Sequence, residues 1–163
     1  MKKTDLSQLA REDAFNLIGK EWMLVTAGTL EHYNTMTASW GGIGWLWNKP
    51  VAFVFIRPER FTHQFIEENE RMTLSFLGEA HRDILNFCGS KSGRDHDKAK
   101  ETGLQPVKTE LGCVAFQQAR LTLEGRKFYK SAFKAENFLD KAALERWYND
   151  KPGGSLHDVY VVE

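Results

Sequence analysis

The chain has 163 residues, enough to bury a core without disulfide or metal staples, and its 42% hydrophobic and 27% charged content excludes a mostly disordered, collagenous or fibrous chain. Lys and Arg total 22 and Asp and Glu total 22, so no global positive field favours nucleic acid or an anionic membrane, and any anionic ligand must be held by a local cluster. The longest apolar runs, 51–56 and 159–162, fall far short of the roughly 20 residues of a transmembrane helix, and residues 1–5 do not lead into a secretory signal.

In chain order, Leu6, Leu9 and Ala10, then Phe15, Leu17 and Ile18, predict a short amphipathic N-terminal helix or two turns ending near Gly19. From Trp22 the pattern changes to short β-branched and aromatic segments punctuated by Gly, Asn and Pro. Candidate strands cover 22–26, 36–40, 51–56, 72–77, 113–123, 128–134 and 159–162. Helical stretches are expected over 61–69, over 81–88 with Gly89 as the stop, and over 136–149, where Leu139, Ala143 and Trp147 share one side. This lacks the strand and helix alternation of a doubly wound fold. It predicts a mainly β, antiparallel barrel with helices filling the connections, with nothing to divide residues 1–163 into more than a single domain.

Three constellations carry chemistry. In Gly41-Gly42-Ile43-Gly44-Trp45-Leu46-Trp47, Gly42 and Gly44 match a dinucleotide fingerprint, but Trp47 stands at its third glycine, so that reading fails. The glycines still let backbone approach a flat ligand, with small polar groups beside the plane of Trp40; the alternative is a bulged strand at a barrel bend. In Ile56-Arg57-Pro58-Glu59-Arg60-Phe61-Thr62, two guanidiniums and a hydroxyl meet orphan helix amides, a recipe for phosphate; the alternative is a Pro break, a Thr62 cap and solvated arginines. In Ser90-Lys91-Ser92-Gly93-Arg94-Asp95-His96-Asp97-Lys98, Ser92 and Asp95 have capping-box-like spacing before a helix stopped by Gly103, with Lys91 and Arg94 beside its start; the alternative is a solvated charged turn.

The five histidines lack metal-ligand spacing with Cys or carboxylate, and neither a nucleophile elbow nor a Walker loop occurs. Cys88 and Cys113 are too few for a disulfide scaffold, and Cys88 reads as a packed thiol. Two thiols and no Asn-x-Ser/Thr acceptor lead us to expect a cytoplasmic protein. A site without nucleophile, metal or evident acid or base points to chemistry supplied by a cofactor.

The residues Asn34-x-Met36-Thr37-Ala38-Ser39-Trp40-Gly41-Gly42, Trp47-x-Lys49-Pro50-Val51 leading to Arg57-Pro58-Glu59-Arg60-Phe61-Thr62, and Ser90-Lys91-Ser92-Gly93-Arg94-Asp95-x-Asp97-Lys98 resemble, in order and spacing, the flavin reductase-like family of FMN-binding split barrels. The likeness is closest to its flavoredoxin-like branch and covers about residues 22–107. The resemblance implies a six-stranded antiparallel Greek-key split barrel, a homodimer, and one FMN per subunit near the dimer interface. It implies isoalloxazine contacts from Asn34, Met36, Thr37, Ala38, Ser39 and Trp40, and a ribityl phosphate pocket from Arg57, Arg60 and Thr62, completed by Ser90, Lys91 and Ser92. Phe128, Tyr129 or His157 would approach the flavin from the same or the partner subunit. The expected function is an FMN oxidoreductase moving electrons between NAD(P)H, flavin and an acceptor. Its partners would be a small-molecule nicotinamide or a redox protein, without nucleic acid or membrane. The alternatives are a flavoredoxin-like electron carrier without its own NAD(P)H activity, and a non-catalytic flavin-binding module.

Overall fold

The computed structural model describes residues 6–149 and 154–163. The expected N-terminal turns are α1 (Leu6–Leu9) and α2 (Ala14–Asn16), the latter capped by the Asp13 carboxylate, which accepts from the Phe15 and Asn16 amides. A π turn over Leu17–Glu21 buries Leu17 and Ile18 and delivers the chain to the sheet.

Strands β1 (Met23–Thr29), β2 (His32–Ala38), β3 (Gly41–Leu46) and β4 (Lys49–Ile56) follow as two hairpins. Helix α3 (Phe61–Glu68) leads to β5 (Arg71–Phe76), and α4 (Arg82–Ser90) and α5 (Lys98–Thr102) lead to the short pair β6 (Pro106–Lys108) and β7 (Val114–Phe116). The chain ends with β8 (Leu121–Ala132), α6 (Lys141–Tyr148) and β9 (Asp158–Val162). Seven strands form one antiparallel sheet in the order β2-β1-β5-β8-β9-β4-β3.

Strand β8 joins the two halves. Its first part pairs with β5 and its second with β9, with a register shift between Lys127 and Tyr129. Gly125 stands just before the shift, and a Cβ there would lie 2.5 Å from Val162 Cγ1 and 2.6 Å from the Glu163 carbonyl, so the close approach of β8 to the chain end needs glycine. The fold is mainly antiparallel β with helical connections, a split barrel. The six expected strands become nine among the described residues. The 113–123 segment divides into β7 and the start of β8, and β8 runs on through the separately expected 128–134 strand. The glycine-rich run is strand β3, paired continuously with β4 from Gly41 to Leu46.

Alternation along β1 explains the layers. Met23, Val25 and Ala27 face one apolar cluster with Met36, Ala38, Val54, Ile56 and Tyr160; Leu24 faces another with Leu85, Cys88 and Phe116 under α4. Phe65 and Ile66 bury the inner side of α3 against the first cluster, each worth roughly 1.5–3 kcal/mol over exposure. Gly89 does not stop α4; it lies inside the helix, where a Cβ would come 3.3 Å from Thr37 Cβ, so its role is close helix and strand packing. Gly103 ends α5 as expected, with φ at 73°.

Candidate functional site

Strand β2 lies at an open end of the sheet order, hydrogen-bonded to β1 alone, so the backbone groups along its other edge are not consumed by a second strand. Alternation sends Asn34, Met36 and Ala38 one way and Thr35 and Thr37 the other. Met36 and Ala38 are core residues, so what they offer a ligand is backbone. Thr37 Oγ1 donates to the Leu85 carbonyl of α4 at 2.5 Å. Asn34 is buried and its Nδ2 donates to Thr62 Oγ1 in the first turn of α3 at 2.7 Å. Ser39 is half-buried in the link to β3.

The second and third constellations meet at the start of α3. Arg60 is the N-cap residue of α3, in extended conformation, and its Nη2 donates to the Gly89 carbonyl at 2.8 Å, immediately before Ser90, Lys91 and Ser92. Gly93 closes the junction. A Cβ on it would lie 2.0 Å from Asn34 Oδ1 and 3.0 Å from Phe61 Cδ1. Arg94 continues the seam, its guanidinium 4.8 Å from the Phe61 ring centroid and Nη1 donating to the Glu59 carbonyl. Thus Asn34, Arg60, Thr62 and the 90–94 loop share one location, although about 60 residues separate the first from the last in the chain.

Within that loop the roles differ from the expected capping box. Ser92 Oγ accepts from the Arg94 amide, and the N-cap of α5 is Asp97, whose carboxylate accepts from the Lys100 amide at 3.1 Å. Ser90 Oγ donates back to the Asn86 carbonyl, and Lys91 is exposed at the end of α4.

Lys98, quoted in the sequence motif but given no role there, is buried. Its ammonium donates to the Thr35 carbonyl of β2 and the Cys88 carbonyl of α4, both at 2.8 Å. Burial pulls its pKa down to about 8, with Arg60 adding repulsion. Desolvation likewise lowers the pKa of Arg60. Both cations bond to backbone carbonyls, and neither forms a carboxylate ion pair among the described residues, although Glu59 attracts Arg60 from a distance. The packed-thiol reading of Cys88 holds: it is fully buried, and desolvation raises its pKa to about 11.

The other end of the site is aromatic. Trp40, 40% exposed, meets Trp147 edge to face at 5.4 Å and His157 at 5.3 Å. Arg57 is directed here and away from Arg60: Nη2 donates to the Trp147 carbonyl at 2.6 Å, and its guanidinium lies 5.2 Å from the Tyr148 ring centroid. Tyr148 Oη is 2.8 Å from His157 Nδ1, and burial, then Arg57, lowers the His157 pKa to about 4, so the ring is neutral. Trp147 and Tyr148 were not singled out as site residues in the sequence. The i, i+4 spacing of Ala143 and Trp147 was the available signal, and both line the cleft beside Trp40, whereas Leu139 precedes the helix and is fully solvent-facing. Phe128 and Tyr129 pack on Trp47 at the β3–β4 turn; only His157, among the three C-terminal candidates, touches the Trp40 ring.

Residues 15–135 match the family described as flavin reductase like domain. The chain belongs to that family. Among solved structures it is similar to a flavoredoxin from Methanosarcina acetivorans, at 19% identity and a TM-score of 0.67, over 88% of this chain and 64% of that one. The chain thus spans less than two-thirds of that relative's length. It is also similar to an FMN-binding protein from Thermus thermophilus, at 20% identity and a TM-score of 0.65, over 100% of this chain and 77% of the other. An FMN-binding domain of a flavin reductases-like enzyme from Shewanella baltica gives 16% identity and a TM-score of 0.67, over 98% and 72%. No curated protein matches the chain. No helix among the described residues is long and apolar enough to cross a membrane, and no group of three or more His, Cys, Asp or Glu among them is placed to hold a metal ion.

Proposed function

We propose that this flavin reductase-like chain binds FMN along β2 and acts as an oxidoreductase that moves electrons between NAD(P)H, the flavin and an acceptor. The observation that carries this reading is the meeting of Arg60, the 90–94 loop and the Asn34–Thr62 pair at one end of β2, with Trp40 beyond its other end. Six residue steps of extended chain separate Asn34 from Trp40, roughly 20 Å, which gives a phosphate end and a ring end to one elongated ligand.

The residues fit the group. Arg60 and buried Lys98 supply charge without a carboxylate pair, and the missing side chain at Gly93 leaves backbone close to Asn34. Arg60, Thr62, Ser90, Lys91 and Ser92 serve the phosphate, and the open edge of β2 from Asn34 to Ser39 offers amides and carbonyls to the polar edge of the ring. Arg57, turned to α6, serves the ring end. Bound FMN supplies the hydride and electron chemistry, so the chain needs to bind, orient and exclude water. A second reading, an electron carrier with little NAD(P)H activity, is favoured by Trp147 and His157, which already lie against Trp40 and limit access to that ring.

The chain pairs with a second copy of itself through the aromatic cluster of Trp45, Trp47, Phe128 and Tyr129. Trp47 and Asn48 are the central residues of the β3–β4 turn, with φ at 50° and 57°, and a bulky residue in left-handed conformation at a hairpin tip costs energy that a partner surface offsets. Trp47 is 55% exposed and Trp45 69% exposed.

The deciding experiment is the visible spectrum of the purified chain after FMN loading and desalting, followed by anaerobic addition of NADH or NADPH. Retained flavin bands that bleach fast support the reductase, and bands that bleach slowly support the carrier. A colourless preparation that ignores added FMN overturns both.

A further inference from the structure

We propose that the cleft between Trp40 and α6 is a second binding site, for a planar aromatic ligand of one or two fused rings of the phenol or naphthol class. The site deepens the reading above and rests on flavin occupying the β2 edge, with this ligand held on the α6 side of Trp40. The cleft is an open depression of about 320 Å³, lined by Trp40, Phe138, Ala143, Trp147 and Tyr148. That volume lies at the small end of ligand pockets, sized for one or two rings.

The rings are not there to fill the core. Helix α6 has no buried residue, and Trp147 is 46% exposed. The helix is held by contacts along one side: Arg57 to the Trp147 carbonyl, Tyr148 to His157, and Phe138 against Tyr148 and Phe133. Trp40 and Trp147 stand at 84° to each other, and a T-shaped pair leaves a ring face available to a third ring. Ala143 is the one small side chain of the lining, which leaves space where any larger residue would fill it.

The electrostatics select the class. Arg57 sits over Tyr148 and beside Glu59, 3.8 Å from Nη1, while His157 behind Tyr148 stays neutral. The lining itself carries no charged side chain, which favours a neutral, electron-rich ring bearing a hydroxyl over a charged one. The Tyr148 hydroxyl, already engaged with His157, stands in the wall as a hydrogen-bonding group for that oxygen.

The test is calorimetric titration of the FMN-loaded full chain with 2-naphthol, repeated on Ala143→Trp and Ala143→Leu after thermal melts have shown each to be folded. The expected result is saturable binding at one site per chain, weakened at least tenfold in Ala143→Trp and less in Ala143→Leu, with FMN content unchanged. Absence of saturable binding, or equal affinity in the folded variants, overturns the proposal. Displacement of FMN by naphthol also overturns it, because the cleft is then the flavin's own ring site. If the chain retains no FMN, the same titrations on flavin-free chain keep the questions apart: naphthol binding that is sensitive to Ala143 upholds the cleft while the flavin reading falls.

Discussion

Asn34 Nδ2 donates to Thr62 Oγ1 at 2.7 Å, both residues are buried, and this one bond ties the edge strand β2 to the first turn of α3. Gly93 presses its backbone on the same Asn34 side chain. Replacing Gly93 by Ala puts a methyl 2.0 Å from Asn34 Oδ1, so the bond must break or the loop must shift. Leaving a buried amide or hydroxyl unpaired costs about 1–3 kcal/mol. Gly93→Ala is therefore expected to lower stability by that order in a urea melt and to weaken FMN retention. A variant with unchanged midpoint and unchanged FMN affinity would remove the junction from the site.

Arg60 and Lys91 differ in burial, and the difference grades their expected effects. Arg60→Ala is expected to weaken FMN binding by about 1–3 kcal/mol, since a charge-assisted bond to phosphate would be lost from a half-buried position. Exposed Lys91, screened by solvent, is expected to give less than about 1 kcal/mol. Quenching of FMN fluorescence during titration measures both. Equal affinities in wild type and both variants would mean that these cations do not face the flavin phosphate.

Lys98 gives stability a pH dependence with a definite sign. Its folded pKa, about 8, lies below the 10.5 of the free side chain, so between these values the unfolded chain binds more protons and stability rises with pH. The contribution is complete above about pH 10.5 and is lost as pH falls through 8, a difference on the order of 3 kcal/mol. Subtracting the denaturant stability of Lys98→Met from that of wild type across pH 7–10 isolates this residue from the other titrating groups. The difference is expected to move in favour of wild type as pH rises, and a flat difference would contradict the buried, desolvated ammonium.

Trp47 separates folding from pairing. Asn tolerates left-handed backbone in a two-residue hairpin turn and a bulky aromatic does not, so Trp47→Asn is expected to stabilise the isolated chain by up to about 1 kcal/mol. The same change removes a large exposed ring from the proposed pairing surface and is expected to shift light-scattering mass from dimer to monomer. A wild-type chain that is monomeric at micromolar concentration sinks the pairing surface, whatever the variant does.

Much of the fold was legible in local pattern. Alternating β-branched and aromatic residues between Gly, Asn and Pro marked β1, β2, β4, β5 and β9 to within a few residues, because each strand has one consistently buried face. Helix α3 was legible from Phe61, Phe65 and Ile66, and the end of α5 from Gly103. Strand β3 was not, because Gly41, Gly42 and Gly44 carry no side-chain pattern; pairing with β4 and the close approach of Phe53 define it. The division of 113–123 and the continuity of β8 were equally hidden, since the close approach of the chain end at Gly125 and the register shift after Lys127 depend on neighbours remote in sequence.

The sequence by itself determined the chemistry on offer: the basic clusters, the aromatic and glycine-rich segment, and the motif order that marks the flavin reductase-like family. It also assigned the buried, inert thiol of Cys88, because helical spacing alone placed it on an apolar side. Only the tertiary structure decided the partners. It set Arg60 on the Gly89 carbonyl and turned Arg57, three residues earlier, to Trp147 and Tyr148. It buried Lys98 between two backbone carbonyls and brought α6 over Trp40. Direction and burial of a side chain follow from which elements pack together, and those contacts join residues 10 to over 100 positions apart, beyond the reach of any local periodicity.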